Sequence, residues 1–321
     1  MAALDVPLID LSQTGAAAAV GAACERIGFL IVRSHGVDPA VIAAASTTAR
    51  AFFDRPLEEK LGYRPTPGVM RGYARMGGES VSYSMGAKAP PDLNESFAIG
   101  PLDSPTDPYF TGPAAGTHFA PNIWPTEPRD LRPAWSAYYR AMQGLAAELM
   151  RLFALALGLD ERFFDDKIDR HISRLRVRNY PDQPTPALPG QLRAGAHTDH
   201  GSLTILCTAD RPGGLQVRDA AGAWHDVPSI PGTFVVNIGD LMARWTNDRW
   251  VSTVHRVVNP PPDRAADSRR QSLVFFHNPN YDAEIVCLPT CLAPGAVPKY
   301  APTTSGEHLR RQFLSMQIAA D

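Results

Sequence analysis

The sequence has no long hydrophobic run and no strong excess of charge of either sign. No stretch approaches the roughly 20 apolar residues of a membrane span, and the formal net charge is −2. Nucleic acids and anionic membrane surfaces attract basic proteins, so we expect neither as a partner. The first residues also lack the basic and apolar segments of a secretion signal, which predicts a soluble, cytoplasmic protein.

Cysteine is scarce, with four residues in a chain of 321, and no two of them form a CxxC pair. Cys207 lies in an apolar run and is predicted to be a small core residue. Cys287 and Cys291 flank a predicted turn, where a disulfide or a shared zinc site remains open. Reduced thiols fit a cytoplasmic protein better than either.

Hydrophobic residues make up 44% of the chain, which is ample for a packed core. Residues 1–170 are predicted to be helical and rich in loops, with helices at 13–27 and 131–157 and another that Asp38 caps and Pro39 opens. Residues 65–128 are rich in glycine and proline and show little periodicity. They predict a long irregular region, and such regions are often functional.

The pattern changes after His171, where short β-type runs alternate with turns. The predicted strands are 172–180, 202–208, 215–219, 223–227, 233–238, 252–258, 271–277 and 283–287. Many short strands at nearly even spacing favour a β-sandwich or jelly roll. We therefore predict one domain over 1–321, with a jelly-roll core at 171–290 and a C-terminal helix within 291–321.

His197 and Asp199 are the strongest candidates for metal ligands. They are two residues apart, and in extended backbone such residues point to the same face. His255 lies on a later strand-like segment and is the candidate third ligand. Two histidines and one carboxylate leave three open positions on an octahedral metal, which suits iron(II) and O₂ chemistry. The absence of thiolates from this set argues against structural zinc.

Other histidines compete for the third position. His200 is close in sequence, but it is expected to point away from His197 and Asp199. His225 and His277 are also possible ligands, although each is more often an ordinary strand residue. An isolated HxD motif is common by chance, so the motif alone does not decide the matter.

Arg270 and Ser272 share one face of a predicted strand and could grip a carboxylate. An arginine binds a carboxylate through two hydrogen bonds, and the serine hydroxyl can add a third. That grip suits the distal carboxylate of 2-oxoglutarate, and the Tyr180 phenol could add one more bond. The alternative is a surface arginine on an edge strand. Arg178 lies on the same strand face as Tyr180, as do two further arginines at 174 and 176.

Several motifs in one order resemble the iron(II)- and 2-oxoglutarate-dependent oxygenases of the isopenicillin N synthase-like family. They occupy residues 6–11, 28–37, 52–53, 56–60, 71–73, 92–97, 197–206, 213–217, 237–240, 255–257 and 270–272. The resemblance covers nearly the whole chain and implies a mainly β fold: a double-stranded β-helix (jelly roll, cupin-like) with flanking helices. One departure is Arg178-Asn179-Tyr180-Pro181, where many members read Asn-Tyr-Tyr-Pro.

The resemblance implies iron bound by His197, Asp199 and His255, and 2-oxoglutarate bound by Arg270, Ser272 and Tyr180. It further implies an enzyme that hydroxylates or desaturates a small molecule with O₂, with ascorbate as an additional reductant, and we expect a monomer. The predicted substrate pocket is lined by Arg71, Tyr73, Asn94, Glu95, Phe97, Arg178 and His277. Two alternatives stay open: an oxidase of the same family that does not use 2-oxoglutarate, and a jelly-roll binding protein without catalysis.

Overall fold

Two β-sheets and a layer of helices organise the chain in a computed structural model. The structure describes residues 5–78, 80–82, 90–103, 105–208 and 213–318, with the backbone alone for 315–318. The strands are β1 Leu8–Asp10, β2 Phe29–Arg33, β3 Gly72–Ala74, β4 Glu95–Ile99, β5 Arg174–Tyr180, β6 Ala194–His197, β7 Leu203–Cys207, β8 Leu215–Arg218, β9 Trp224–Asp226, β10 Phe234–Ile238, β11 His255–Val257, β12 Arg270–His277, β13 Glu284–Ile285 and β14 Thr303–Thr304.

The strands form an eight-stranded sheet in the order β1-β2-β10-β7-β12-β5-β4-β3 and a four-stranded sheet in the order β6-β11-β8-β9. Apolar residues of both sheets, among them Phe29, Val235, Leu215 and Val257, pack in one buried cluster. The two sheets therefore face each other, as in the predicted jelly roll. β13 and β14 pair separately.

The helices are α1 Ala16–Arg26, α2 Pro39–Phe53, α3 Leu57–Leu61, α4 Pro108–Thr111, α5 Leu131–Ala156, α6 Asp165–Ile168, α7 Asp240–Trp245 and α8 Ser305–Ile318. The Asp38 carboxylate accepts a hydrogen bond from the Ala40 backbone N–H, and Pro39 occupies the first turn, so α2 begins where the sequence predicts. Gly158 follows α5 with a positive φ of 71°, a conformation that glycine adopts at helix ends without strain.

The outer face of the large sheet packs against helices α1, α2 and α5. Alternate residues of β5, such as Leu175 and Val177, enter this core together with Phe97 of β4 and Trp135 of α5. The other residues of β5 point to the inner face, toward the small sheet. The two-residue period of the strand therefore separates a helix-packed core from the interior of the jelly roll.

Residues 65–128 are less irregular than predicted. They contribute β3 and β4 to the edge of the large sheet, where Glu95 pairs with Asn179 and Phe97 with Val177. These strands are three and five residues long, too short to show a clear period in a segment rich in glycine and proline. Positions 79, 83–89 and 104 of this segment lie outside the described residues.

Strands from the N-terminal part lie at both edges of the large sheet, β1 and β2 at one edge and β3 and β4 at the other. This arrangement supports our proposal that residues 1–321 form one domain. α8 lies within the predicted C-terminal segment, whose last residues, 319–321, lie outside the described part.

All four cysteines are free thiols, as predicted, and Cys207 is buried in the main core. In the described ranges no helix is both long and apolar enough to cross a membrane.

Candidate metal and co-substrate site

His197, Asp199 and His255 meet at the end of the small sheet. His197 ends β6 and lies directly opposite His255 of β11 in the antiparallel register. Their ligand atoms all lie within 4.8 Å of one another, and each histidine Nε2 is 3.8 Å from Asp199 Oδ1. Three donor atoms at these separations can all reach one ion placed between them. Among the described residues, this is the only such group of three or more histidine, cysteine or acidic side chains.

Backbone carbonyls orient both imidazole rings. His197 Nδ1 lies 2.8 Å from the Gly195 carbonyl oxygen, and His255 Nδ1 lies 3.1 Å from that of Thr253. An Nδ1–H that donates to a carbonyl leaves the Nε2 lone pair for a metal. Burial, helped by the neighbouring His255, lowers the pKa of His197 to about 3. The ring is therefore neutral at physiological pH and able to coordinate.

The Asp199 carboxylate is held through its other oxygen. Oδ2 accepts hydrogen bonds from Thr204 Oγ1 at 2.6 Å and Asn237 Nδ2 at 2.8 Å. Burial by itself raises the pKa of Asp199, but the two histidines and these hydrogen bonds outweigh it and lower the pKa to about 2. The carboxylate is thus ionised, and Oδ1 is directed toward the histidines.

The competing histidines lie elsewhere. His200 Nδ1 lies 3.3 Å from Asp240 Oδ2, and the converging group found among the described residues does not include His200. His225 Nε2 lies 2.7 Å from Asp219 Oδ2 at the edge of the small sheet. His277 is buried against Ser202, and burial next to His171 lowers its pKa to about 3.

A cavity of about 50 Å³ lies between the sheets beside the three candidate ligands. Its walls include Tyr180 and Arg178 of β5 and Arg270 and Ser272 of β12. These four residues form two cross-strand pairs, because Arg270 lies opposite Tyr180 and Ser272 opposite Arg178. The antiparallel register thus brings together residues that are about 90 positions apart in sequence, and we call this space the inner cavity.

Arg270 presents unsatisfied donors to the inner cavity. The residue is 4% exposed, and its Nε and Nη1 atoms have no hydrogen-bond partner in the described part of the chain. Its guanidinium lies 4.7 Å from the centre of the Tyr180 ring. A buried charge without a partner is costly, so these atoms indicate a site that an anionic ligand completes.

Two family models match this chain. Residues 6–127 match the model described as non-haem dioxygenase in morphine synthesis N-terminal, and residues 171–279 match the 2OG-Fe(II) oxygenase superfamily. The chain is 34% identical to the 2-oxoglutarate-Fe(II) type oxidoreductase hxnY of Emericella nidulans over 98% of this chain and 90% of that protein. The chain belongs to the iron(II)- and 2-oxoglutarate-dependent oxygenases. It is an enzyme of the dioxygenase class with the double-stranded β-helix core of that family.

Other relatives of this oxygenase are described with different small molecules. It is 32% identical to validamycin A dioxygenase of Streptomyces hygroscopicus subsp. limoneus, over 91% of this chain and 81% of that protein. Its fold is similar to that of a Neurospora crassa protein whose crystal structure is a complex with alpha-KG and thymine. The TM-score is 0.83, with 34% identity over 99% of this chain and 97% of that chain.

The residues of the site fit the two groups that the family uses. Two imidazoles and one carboxylate form a nitrogen and oxygen donor set that suits iron(II). The unpartnered nitrogens of Arg270 fit a carboxylate of 2-oxoglutarate, because a guanidinium fork binds carboxylates in a bidentate manner. The fit to iron and the fit to 2-oxoglutarate are both judged from the side chains present in this chain.

The row of arginines on β5 extends from the inner cavity outward. Arg178 is 6% exposed and lines the inner cavity, and its Nη1 donates to Asn94 Oδ1 at 3.0 Å. The Arg176 guanidinium donates to Ser96 Oγ. Arg174 Nη1 lies 2.8 Å from the Met70 sulfur.

The structure separates the predicted substrate residues into two groups. Arg71 lines a large outer cavity, and Asn94 lies behind Arg178. Tyr73, Glu95 and Phe97, by contrast, do not face either cavity in the described structure, which corrects their predicted place in the pocket. His277 likewise lies on the outer face of the large sheet, where its ring Nδ1 forms a hydrogen bond with Ser202 Oγ.

The outer-face positions of these residues have a simple cause. Side chains alternate along β4, so Asn94 and Ser96 face the arginine row while Glu95 and Phe97 face the helices. Glu95 accepts hydrogen bonds from Lys60, Tyr73 and Asn179, and Phe97 packs on Phe52.

Three site features were not predicted from the sequence. Phe29 and Phe276 line the inner cavity from β2 and β12. Leu309 and Phe313 of α8 line the space outside the candidate ligands, although they lie more than 50 residues after His255. The helical spacing of these two residues was the signal available, but it indicates burial without indicating the partner.

The third feature is Asp240, which connects the segments that carry the candidate ligands. Its carboxylate accepts hydrogen bonds from Thr198 Oγ1 at 3.2 Å and Ser252 Oγ at 2.7 Å. Its backbone N–H donates to the Asp199 carbonyl at 2.7 Å. Asp240 therefore ties the His197-Thr198-Asp199 segment to the segment that precedes His255.

Proposed function

We propose that this oxygenase couples oxidative decarboxylation of 2-oxoglutarate to hydroxylation or desaturation of a small organic molecule. In this proposal His197, Asp199 and His255 hold the iron, and Arg270, Ser272 and Tyr180 bind 2-oxoglutarate. The observation that carries the proposal is the buried Arg270 guanidinium beside the three converging ligands, with two nitrogens that lack a partner in the described residues.

The protein side chains prepare the site for this chemistry. The iron and 2-oxoglutarate, when bound, supply O₂ activation and oxidising power. The Gly195 and Thr253 carbonyls keep both imidazoles oriented, and Thr204 and Asn237 hold the Asp199 carboxylate through Oδ2. Arg270 fixes one end of the co-substrate, while Phe29, Leu206 and Val274 exclude water from the inner cavity.

The substrate is proposed to be small because the descriptions of the relatives mention small molecules, validamycin A and thymine. These two compounds differ so much in chemistry that neither carries over to this chain. Arg71, Asn94 and Arg178 remain proposed substrate-side residues on the strength of their positions around the cavities.

The test uses iron-loaded enzyme and 2-oxoglutarate labelled at the carboxyl carbon next to the ketone. We expect labelled CO₂ and succinate in equal amounts, with a rate that rises when a compound from a library is a substrate. An Asp199→Ala preparation, treated identically, should release no CO₂. Oxygen consumption that depends on an added compound but releases no CO₂ would instead favour the oxidase alternative without 2-oxoglutarate.

A further inference from the structure

A second, larger cavity opens outside the iron ligands. It has a volume of about 660 Å³. A narrow space of about 60 Å³, lined by His197, Asp199 and the β5 arginines, separates it from the inner cavity. The large and narrow spaces share Met70, Arg174, Leu309 and Phe313 in their walls. A molecule that enters through the outer cavity therefore passes Arg174 before it reaches the ligands.

The walls of these two spaces carry more positive than negative groups in the described structure. The lining cations are Arg71, Arg174, Arg176, Arg178 and Arg310, and the lining acids are Asp199, Asp282 and Glu307. Each acid already has a role or a partner. Asp199 is a candidate iron ligand, Asp282 accepts from the Tyr109 hydroxyl, and Glu307 accepts from Thr303 and Arg311.

Arg174 occupies the point where the two spaces meet. It is half-buried, and its contacts include the Met70 sulfur and the face of the Phe313 ring, 5.0 Å from the guanidinium carbon. An aromatic face holds the guanidinium plane in place at the wall that the two spaces share. The group is thus positioned to meet an oxygen anion from the cavity side.

We propose that the substrate carries a carboxylate and that Arg174, supported by Arg176, binds it. This inference rests on the proposed function, because it names the class of molecule that the same site oxidises. Arg174 and Arg178 are four residues apart on one strand, which places their Cα atoms about 13 Å apart. A carboxylate at Arg174 therefore leaves the body of a small molecule extending past Phe276 toward His197 and Asp199.

The first experiment compares small carboxylic acids with their matching primary carboxamides. Each compound is titrated by calorimetry into anaerobic enzyme loaded with Fe(II) and saturated with 2-oxoglutarate. We expect at least one acid to bind, with its amide weaker by about tenfold or more, since a hydrogen-bonded charge pair contributes about 1.5–3 kcal/mol. Equal or tighter binding of the amides, or no binding of any acid, would overturn the proposal.

Variants then assign the preference to Arg174. Arg174→Gln should remove the difference between acid and amide, whereas Arg174→Lys should keep part of it because the charge remains. The matched control is Arg218→Gln, since Arg218 is an exposed strand arginine that stacks on Trp224 outside both cavities. An acid preference that survives Arg174→Gln would remove this residue from the role.

The proposed function can fail separately from this inference. If the wild-type enzyme releases no CO₂ from 2-oxoglutarate with any compound, the proposed function is wrong. The calorimetric comparison of acid and amide does not depend on turnover, so it still decides whether the cavity selects carboxylates.

Discussion

The two faces of the large sheet differ in whether their buried charged side chains are paired within the protein. On the outer face, Lys60 Nζ lies 2.8 Å from Glu95 Oε2, and the side chains of both are less than 10% exposed. Tyr73 and Asn179 donate further hydrogen bonds to the same carboxylate. On the inner face, Arg270 is equally buried, yet two of its nitrogens lack a partner in the described part of the chain.

This difference indicates which buried charges belong to the architecture and which to the site. A buried ion pair whose hydrogen-bonding groups all have partners is satisfied within the fold and needs no ligand. A buried cation with unsatisfied donors is costly unless a ligand supplies the missing acceptor. Strand β4 thus carries Glu95 of a structural ion pair on the outer face, and strand β12, with β5 between them, carries the proposed co-substrate arginine Arg270 on the inner face.

The largest effect is expected where the inner cavity meets the metal. His255→Ala should lose bound iron and abolish turnover, because the remaining His197 and Asp199 supply only two of the three donors. Metal content and CO₂ release measure the two consequences. His225→Ala is the control, since His225 pairs with Asp219 away from the site. Normal iron content in His255→Ala would mean that another residue is the third ligand.

An outer-face substitution should affect stability and leave the chemistry unchanged. Glu95→Ala leaves Lys60 buried without its partner and should lower the free energy of unfolding by about 3–5 kcal/mol. Denaturant titration measures that loss. The 2-oxoglutarate concentration for half-maximal rate should stay the same in the folded variant. The double variant Lys60→Met/Glu95→Leu should recover much of the stability, and a shift in 2-oxoglutarate dependence would contradict the structural role.

The corresponding substitution on the inner face, Arg270→Leu, should impair 2-oxoglutarate binding without lowering stability. Arg270→Leu should raise the 2-oxoglutarate requirement by about thirtyfold to several thousandfold, because loss of a buried charged partner costs about 2–5 kcal/mol. Without 2-oxoglutarate, its melting temperature should equal or exceed that of the wild type. Arg269→Leu is the neighbouring control, since Arg269 bonds Asn179 and Asp54 instead of lining the cavity. An unchanged requirement in Arg270→Leu rejects the carboxylate-binding role.

Arg178 is paired within the fold and also lines the inner cavity. Its substitution should therefore give the smallest effects on stability and on binding. It lines the inner cavity, yet it donates to Asn94, and its charge also counteracts the raised pKa that burial gives Asp92. Arg178→Gln should therefore lower the melting temperature by a few degrees and weaken apparent 2-oxoglutarate or substrate binding by about tenfold or less. If the melting temperature falls while both affinities hold, Arg178 belongs with the structural charges.

The fold class and the proximity of His197 and Asp199 could be predicted because both depend on short-range rules. The two-residue period places His197 and Asp199 on one face, and turn residues delimit most strands after His171. The same period placed Tyr180 with the β5 arginines and Arg270 with Ser272. Their cross-strand pairing was implied only by family resemblance, because register between distant strands is not contained in either segment alone.

The residues around the substrate cavity were harder to predict, because their positions also depend on contacts between distant segments. β4 reads Glu-Ser-Phe-Ala-Ile, so polar and apolar residues occur on both faces and the pattern does not reveal which face is inside. Glu95 and Phe97 were therefore predicted on the wrong side. Leu309 and Phe313 reach the cavity by tertiary packing of α8, which local sequence does not encode.

The position of the arginine row on a single strand has a consequence for how such an enzyme diversifies. Along β5, Tyr180 lines the inner cavity and is the proposed co-substrate residue, whereas Arg174 lines the outer cavity, and the strand is hydrogen-bonded on both sides between them. With the proposed roles, a substitution at position 174 would change which molecules are accepted without moving Arg270, Ser272 or Tyr180. New substrates could then be acquired by single point mutations, while the residues proposed to carry the oxidative chemistry are inherited unchanged.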